Sequence, residues 1–131
     1  MQRSAEQIEA GAVRCANALF ARGVARGDAV AVALADTDEA RAVLRACAAL
    51  GSAAIRVASE PAAVALGDAV ALVHERRSAH HVAELRRALP RLRVSLSVDD
   101  GSGADLTQAG SEDFDSALAG APHDCFHWMK A

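Results

Sequence analysis

Helical periodicity gives way to a short apolar run and then returns, repeatedly along the chain, and this alternation is what most limits how it can fold. Ile8, Ala12, Cys15, Ala16 and Leu19 recur at helical spacing behind Ser4, which stands at an N-cap position with Gln7 three residues on. Gly23 ends this helix near Arg22, and Gly27-Asp28 turns the chain into 29–34, an apolar run without a charge. Asp36, Thr37, Asp38 and Glu39 supply a cap and an acidic first turn for a second helix, with Val43, Leu44, Cys47 and Ala48 on one face and Gly51 as its stop. A second apolar segment follows at 53–57. Ser59-Glu60-Pro61 then opens a brief helix to Leu66, with Pro61 in its first turn. The third apolar run, 69–73, leads into a basic helix that aligns Val82, Leu85 and Leu89, keeps Arg76, Arg77, Arg86 and Arg87 off that face, and ends at Pro90.

In 92–98, Leu92, Val94, Leu96 and Val98 alternate with Arg93, Ser95 and Ser97, which predicts a strand with one solvated face near a sheet edge. The Gly-rich stretch to Gly110 reads as a loop, Ser111 as the cap of a short helix to Leu118, and the tail from Gly120 has no periodicity. Strands separated by helices need crossover connections, so the expected fold is α/β, a mainly parallel sheet of about four strands with helices on both faces.

The 131 residues suit a single domain whose 52% apolar content is mostly Ala and Val, with 3% aromatics, so its core is thin. A net charge of -3, with 14 basic and 17 acidic residues scattered along the chain, offers no basic field for nucleic acid. No apolar run approaches the roughly 18 residues of a membrane span, and the N-terminus lacks a signal-type stretch, so a cytoplasmic protein is expected. Cys15, Cys47 and Cys125 are odd in number and widely spaced, which fits reduced thiols, two of them on buried helix faces.

Two stretches carry a family likeness. Ala16-Asn17-Ala18-Leu19-Phe20-Ala21-Arg22-Gly23-Val24, followed by Gly27-Asp28-Ala29-Val30-Ala31-Val32, resembles the "ANxLxxxGVxxGDxVA" pattern of the adenylate-forming superfamily of acyl-CoA synthetases, luciferases and peptide-synthetase adenylation domains. Leu44-Arg45-Ala46-Cys47-Ala48-Ala49-Leu50-Gly51-Ser52-Ala53-Ala54 is similar to the family's "LACxxLGAxxVP" in the same place. Ala71-Leu72-Val73, the helix from Val82 to Pro90 and Val98-Asp99-Asp100 look like the next strand, helix and strand. The resemblance implies that 1–120 is the N-terminal subdomain of an AMP-binding ligase and 121–131 a C-terminal tail. Ile55-Arg56-Val57 replaces the family's Val-Pro, and 58–68 is shorter than the family's helix there.

For the parent family, the resemblance implies ATP-dependent activation of a carboxylic acid to an acyl-adenylate, then thioester formation, with ATP, Mg²⁺ and CoA. This chain lacks the family's Ser/Thr/Gly-rich loop ending in Lys, so it is expected to be truncated before that loop, to hold no cofactor and no catalytic residue, and to be inactive alone. Gly101-Ser102-Gly103-Ala104-Asp105 is too short to replace it and follows an acidic pair that repels phosphate. The alternative is an interaction module: the shortened segment would leave sheet surface uncovered, so a homodimer or a complementing ligase remainder is expected at the face near residues 57–68, between Val57 and Asp68. An unrelated flavodoxin- or receiver-style domain is a third possibility, disfavoured because Asp99-Asp100 follows the last strand rather than the first.

His123, Cys125 and His127 lie close together in sequence beside Asp124 and are of types that zinc or copper accepts, but no second cluster supplies a fourth soft ligand and a tail packed through Phe126 and Trp128 accounts for them. His80 and His81 point in different directions on a helix and read as a solvated helix start. Asp36, Asp38 and Glu39 lie where an open α/β sheet binds ligands, yet capping and the helix dipole explain the same residues. No nucleophile elbow is present in the sequence.

Overall fold

Capping chemistry sets the helices in the computed structural model, which describes residues 4–122. The Ser4 hydroxyl accepts from Gln7 N while Gln7 Oε1 accepts from Ser4 N, a reciprocal box that starts α1 (Ala5–Ala21). Thr37 Oγ1 accepts from Ala40 N at the start of α2 (Asp38–Leu50), and Gly51, at φ +74°, takes the left-handed conformation that ends it. The remaining helices are α3 (Ala63–Leu66), α4 (Ala79–Ala88) and α5 (Phe114–Ala119), with a 3-10 turn, Arg76–Ser78, leading into α4.

Strands β1 (Ala29–Ala33), β2 (Ala53–Arg56), β3 (Ala71–Glu75), β4 (Val94–Val98) and β5 (Glu112–Asp113) form one sheet in the order β2-β1-β3-β4-β5, every pair parallel. The fold is α/β with helices on both faces. On one face α1, α2 and α5 bury Cys15, Leu19, Val43, Cys47 and Phe114 against Val30, Val32, Val73, Val94 and Leu96. On the other, Leu66 of α3 and Ala79, Val82, Ala83 and Leu85 of α4 cover Ala31, Ala33 and Leu72. Cys15 and Cys47 are free thiols, and burial pushes both up from the ordinary thiol value. No helix among the described residues is long and apolar enough to cross a membrane.

Three details differ from the sequence-based expectations. The strand at 92–98 lies near the sheet edge, with only the two-residue β5 beyond it among the described residues, but it has no solvated face: Ser95 and Ser97 are buried. Alternation records polarity, and these hydroxyls face a polar network under segment 99–111 rather than water. Ser111 does not cap the last helix; Asp113 does, accepting from Ser116 N at 2.9 Å, and Glu112–Asp113 is a fifth strand fastened to α1 by a two-pronged pair from Arg22 to Glu112 (2.6 and 2.8 Å). Pro61 precedes α3 instead of occupying its first turn, because its carbonyl is held by His81 Nε2–H at 2.5 Å while the helix begins at Ala63. Through the same contact, His81 ties the 57–62 stretch to α4.

Candidate binding edge

Ligands of open α/β sheets bind beyond the carboxyl ends of the strands, where the strand order reverses, here between β1 and β3. After β1 the chain places Asp36, Asp38 and Glu39. Asp38 and Glu39 form the first turn of α2, and Arg41 reaches Asp38 at 2.9 Å and Asp36 at 3.7 Å. Their charge is thus shared between a helix terminus and a guanidinium. No group of three or more His, Cys, Asp and Glu is arranged to hold a metal among the described residues. His123, Cys125 and His127 lie outside the described residues. His80 is exposed, 3.4 Å from Glu84 one turn along α4.

After β4, segment 99–111 crosses the carboxyl ends of β3 and β4, and three of its backbone donors are taken by its own carboxylates. Gly101 N donates to Asp99 Oδ1 (3.0 Å), Ser102 N to Asp100 Oδ1 (2.9 Å) and Thr107 N to Asp105 Oδ1 (3.0 Å). A phosphate cradle needs such amides free and no carboxylates among them. The residues here therefore do not fit the triphosphate that the family resemblance implies. Asp100 also accepts from Arg77 N (2.8 Å) and Nε (3.0 Å). Burial alone would raise its carboxyl, but the bonds from Ser102 and Arg77 outweigh burial and hold it well below the usual carboxylate range. Arg76 Nε donates to Ala104 O at 2.7 Å, so both arginines after β3 fasten this segment.

Beneath it lies a cluster that the sequence did not single out. His74, on β3, is fully buried; its Nδ1 is 2.8 Å from Glu75 O and its Nε2 2.7 Å from Ser111 Oγ. Ser111 Oγ is 2.9 Å from Ser95 Oγ, which accepts from Arg86 Nη1 at 2.6 Å. Arg86 also donates to Arg93 O (2.9 Å) and Gly110 O (3.4 Å). Burial pushes the imidazole below its ordinary value and the Arg86 charge adds to this, against the pull of the Glu75 carbonyl and the Asp100 carboxylate. Two further hydroxyls, Ser78 Oγ and Ser97 Oγ, are buried without a hydrogen-bond partner, and Ser97 pairs in register with His74. Arg77, Ala79, His80, Ala104, Asp105 and Gln108 line a cleft between the start of α4 and the segment. A histidine and serine at 2.7 Å resemble a nucleophile and base, but Ser111 lies outside that cleft's lining and both partners are already enclosed in one closed chain of hydrogen bonds. Only a lone His in an apolar run marked the cluster in the sequence, and its side-chain partner Ser111 lies 37 positions away.

At the opposite end of the sheet, β2 is an edge strand whose Ala53, Ala54 and Arg56 are exposed. Nearby, Val64 of α3 is 88% exposed, although Leu66 beside it is fully buried.

No family model matches the chain. Over 119 residues, 86% of its length, it is 33% identical to a medium/long-chain-fatty-acid and 3-oxocholest-4-en-26-oate CoA ligase from Mycobacterium marinum, of which it covers 22%. A 3-oxocholest-4-en-26-oate CoA ligase from Rhodococcus rhodochrous is 31% identical over the same share of the chain, with 21% of that protein covered. Among solved structures, the acetoacetyl-CoA synthetase from Streptomyces lividans matches 89% of the chain with a TM-score of 0.74 and 27% identity, over 20% of its own length. An anthranilate CoA ligase in complex with anthranoyl-AMP shares the fold at the same TM-score, 0.74, and 23% identity. The chain thus spans about a fifth of the length of these proteins.

Proposed function

Since the chain is a homologue of acyl-CoA ligases of the adenylate-forming superfamily, matching about a fifth of their length, we propose that it acts in the cytoplasm as an N-terminal ligase subdomain with no catalysis of its own. Residues 1–120 form the subdomain and 121–131 the tail. The parent reaction is ATP- and Mg²⁺-dependent activation of a carboxylic acid to an acyl-adenylate, followed by thioester formation on CoA or a carrier thiol. Its acid is taken from the relatives' names, a medium- or long-chain fatty acid or 3-oxocholest-4-en-26-oate. The observation that supports this reading is the carboxyl edge after β4: Asp99, Asp100 and Asp105 take the amides of Gly101, Ser102 and Thr107, and three carboxylates there repel a phosphate. Calorimetry with ATP and Mg²⁺, together with acid-dependent pyrophosphate exchange, tests it. No binding heat and no exchange are expected; adenylate formation by the chain alone would overturn it.

A second reading, favoured by the exposed β2 edge and Val64, is an interaction module near residues 57–68 that pairs with a second copy or a separately encoded ligase remainder. Light scattering distinguishes the two readings. A monomer that stays unchanged when mixed with the other four-fifths of a relative removes the second.

A further inference from the structure

The hydrogen bonds around His74 run in one direction only, and a proton would reverse them. A carbonyl cannot donate, so Nδ1, 2.8 Å from Glu75 O, carries the hydrogen, and in the neutral ring Nε2 is then an acceptor. Ser111 Oγ lies within reach of both Nε2 (2.7 Å) and Ser95 Oγ (2.9 Å) and has one hydrogen to give: beside the neutral ring it goes to Nε2, which leaves Ser95 Oγ–H to donate to Ser111, while Arg86 Nη1–H donates to Ser95 Oγ. Each hydroxyl hydrogen in this series has one acceptor, and the series crosses from α4 through β4 and Ser111 to β3.

We propose that the Ser111–His74 contact is an acid-sensitive latch, which holds segment 99–111 over the carboxyl ends of β3 and β4 while the imidazole is neutral and releases it when the ring takes a proton. With hydrogens on both ring nitrogens, Ser111 has to accept from Nε2 and turn its own hydrogen toward Ser95. Ser95 Oγ would then receive two donors, from Arg86 and Ser111, and its own hydrogen would have no acceptor. The imidazolium would also share a buried site with the Arg86 guanidinium. Of the charged groups that act on His74, Asp100 on the crossing segment is the attractive one, and its carboxylate is already engaged by Arg77 and Ser102. Glu75, on the same strand, forms an ion pair with Arg77 at 3.8 Å, and β1 presents only Ala33 beside the ring. Lifting the segment lets water reach the ring and relieves both conflicts. It would uncover Ser97 and open the cleft beside Arg77, Ala79 and Gln108. This latch stands independently of the ligase reading.

Amide hydrogen exchange on the whole chain at about pH 7.5 and about pH 5, corrected for intrinsic rates, tests the latch on either side of the ordinary imidazole value. Amides of 99–111 should lose protection by about tenfold at the lower pH, while those of β1 keep theirs. In His74→Gln, which accepts from Ser111 without titrating, protection should be the same at both values. Ser111→Ala should show at the higher pH the protection that the parent protein shows at the lower. Equal parent protection at both values, a pH-dependent loss that persists in His74→Gln, or full protection in Ser111→Ala would each overturn the proposal.

Discussion

The two faces of the sheet are held by different physics. Under α1, α2 and α5 the packing is apolar: Phe114, Leu19, Val43 and two thiols meet Val30, Val32, Val73, Val94 and Leu96. Its buried polar side chain, Asn17, donates to Pro122 O at 2.8 Å, where α1 meets the stretch after α5. Under α4 and segment 99–111, the layer of Ala31, Ala33, Leu72 and Leu66 continues into His74, Ser78, Ser95 and Ser97, all buried. The first face gains from area removed from water, which depends little on pH and tolerates small shifts. The second depends on donors and acceptors meeting in pairs, so one proton or one lost partner matters more. Stability and responsiveness are thereby assigned to opposite sides of the same strands.

The largest expected effect breaks the apolar face. Phe114 is the largest fully buried side chain among the described residues, and Phe114→Ala should cost about 3–5 kcal/mol in denaturant unfolding. A cost below about 1 kcal/mol would mean that this face is not what holds the sheet.

On the polar side, Asp100→Asn removes the charge that accepts from Arg77 N, Arg77 Nε and Ser102 N, and should cost about 1.5 kcal/mol near neutral pH. The sign with pH follows from the depressed carboxyl: the folded state binds the proton less readily than the unfolded one. The contribution is therefore complete above the ordinary carboxylate value and is lost as pH falls below it. Stability curves of the parent protein and variant should converge in acid; parallel curves would remove the carboxylate from the account.

Thr37→Ala, which deletes the α2 cap on the apolar face, should cost about 1 kcal/mol and show no such convergence, since a hydroxyl does not titrate. A pH-dependent cost would show that the cap is coupled to the acids around it, Asp36 and Asp38.

Which parts of the molecule the sequence disclosed follows the same division. The Ser4–Gln7 box, the Gly51 stop and the charge-free run at 29–34 act through neighbours in sequence, and each is found in the structure where spacing places it. The family likeness also rests on this scaffold, on Asn17 to Val24 and Gly27 to Val32. The polar face is assembled from distant positions. Ser95 and Ser97 read as solvated because alternation cannot distinguish water from a buried network, and Ser111 read as a helix cap because its true partners are His74 and Ser95. β5 has two residues, both acidic, and no propensity signal; what places it is the Arg22–Glu112 pair, which spans 90 positions. His74 was invisible because one histidine in an apolar strand carries no spacing to interpret.

The smallest effect has the opposite sign. Ser97 Oγ is buried beside His74 and has no hydrogen-bond partner, so it lost its water on folding without a replacement. In Ser97→Ala that penalty disappears, at the expense of a void of one oxygen and the contacts that oxygen made. The desolvation cost of a hydroxyl exceeds the value of so small a void, so the variant should be more stable than the parent protein by about 0.5 kcal/mol. On the apolar face, where the side chains already match their surroundings, no equally small truncation should stabilise. Should Ser97→Ala destabilise by about 1 kcal/mol or more, a buried water bridging Ser97 to its neighbours would be required, and the polar face would then be as fully satisfied as the apolar one is fully packed.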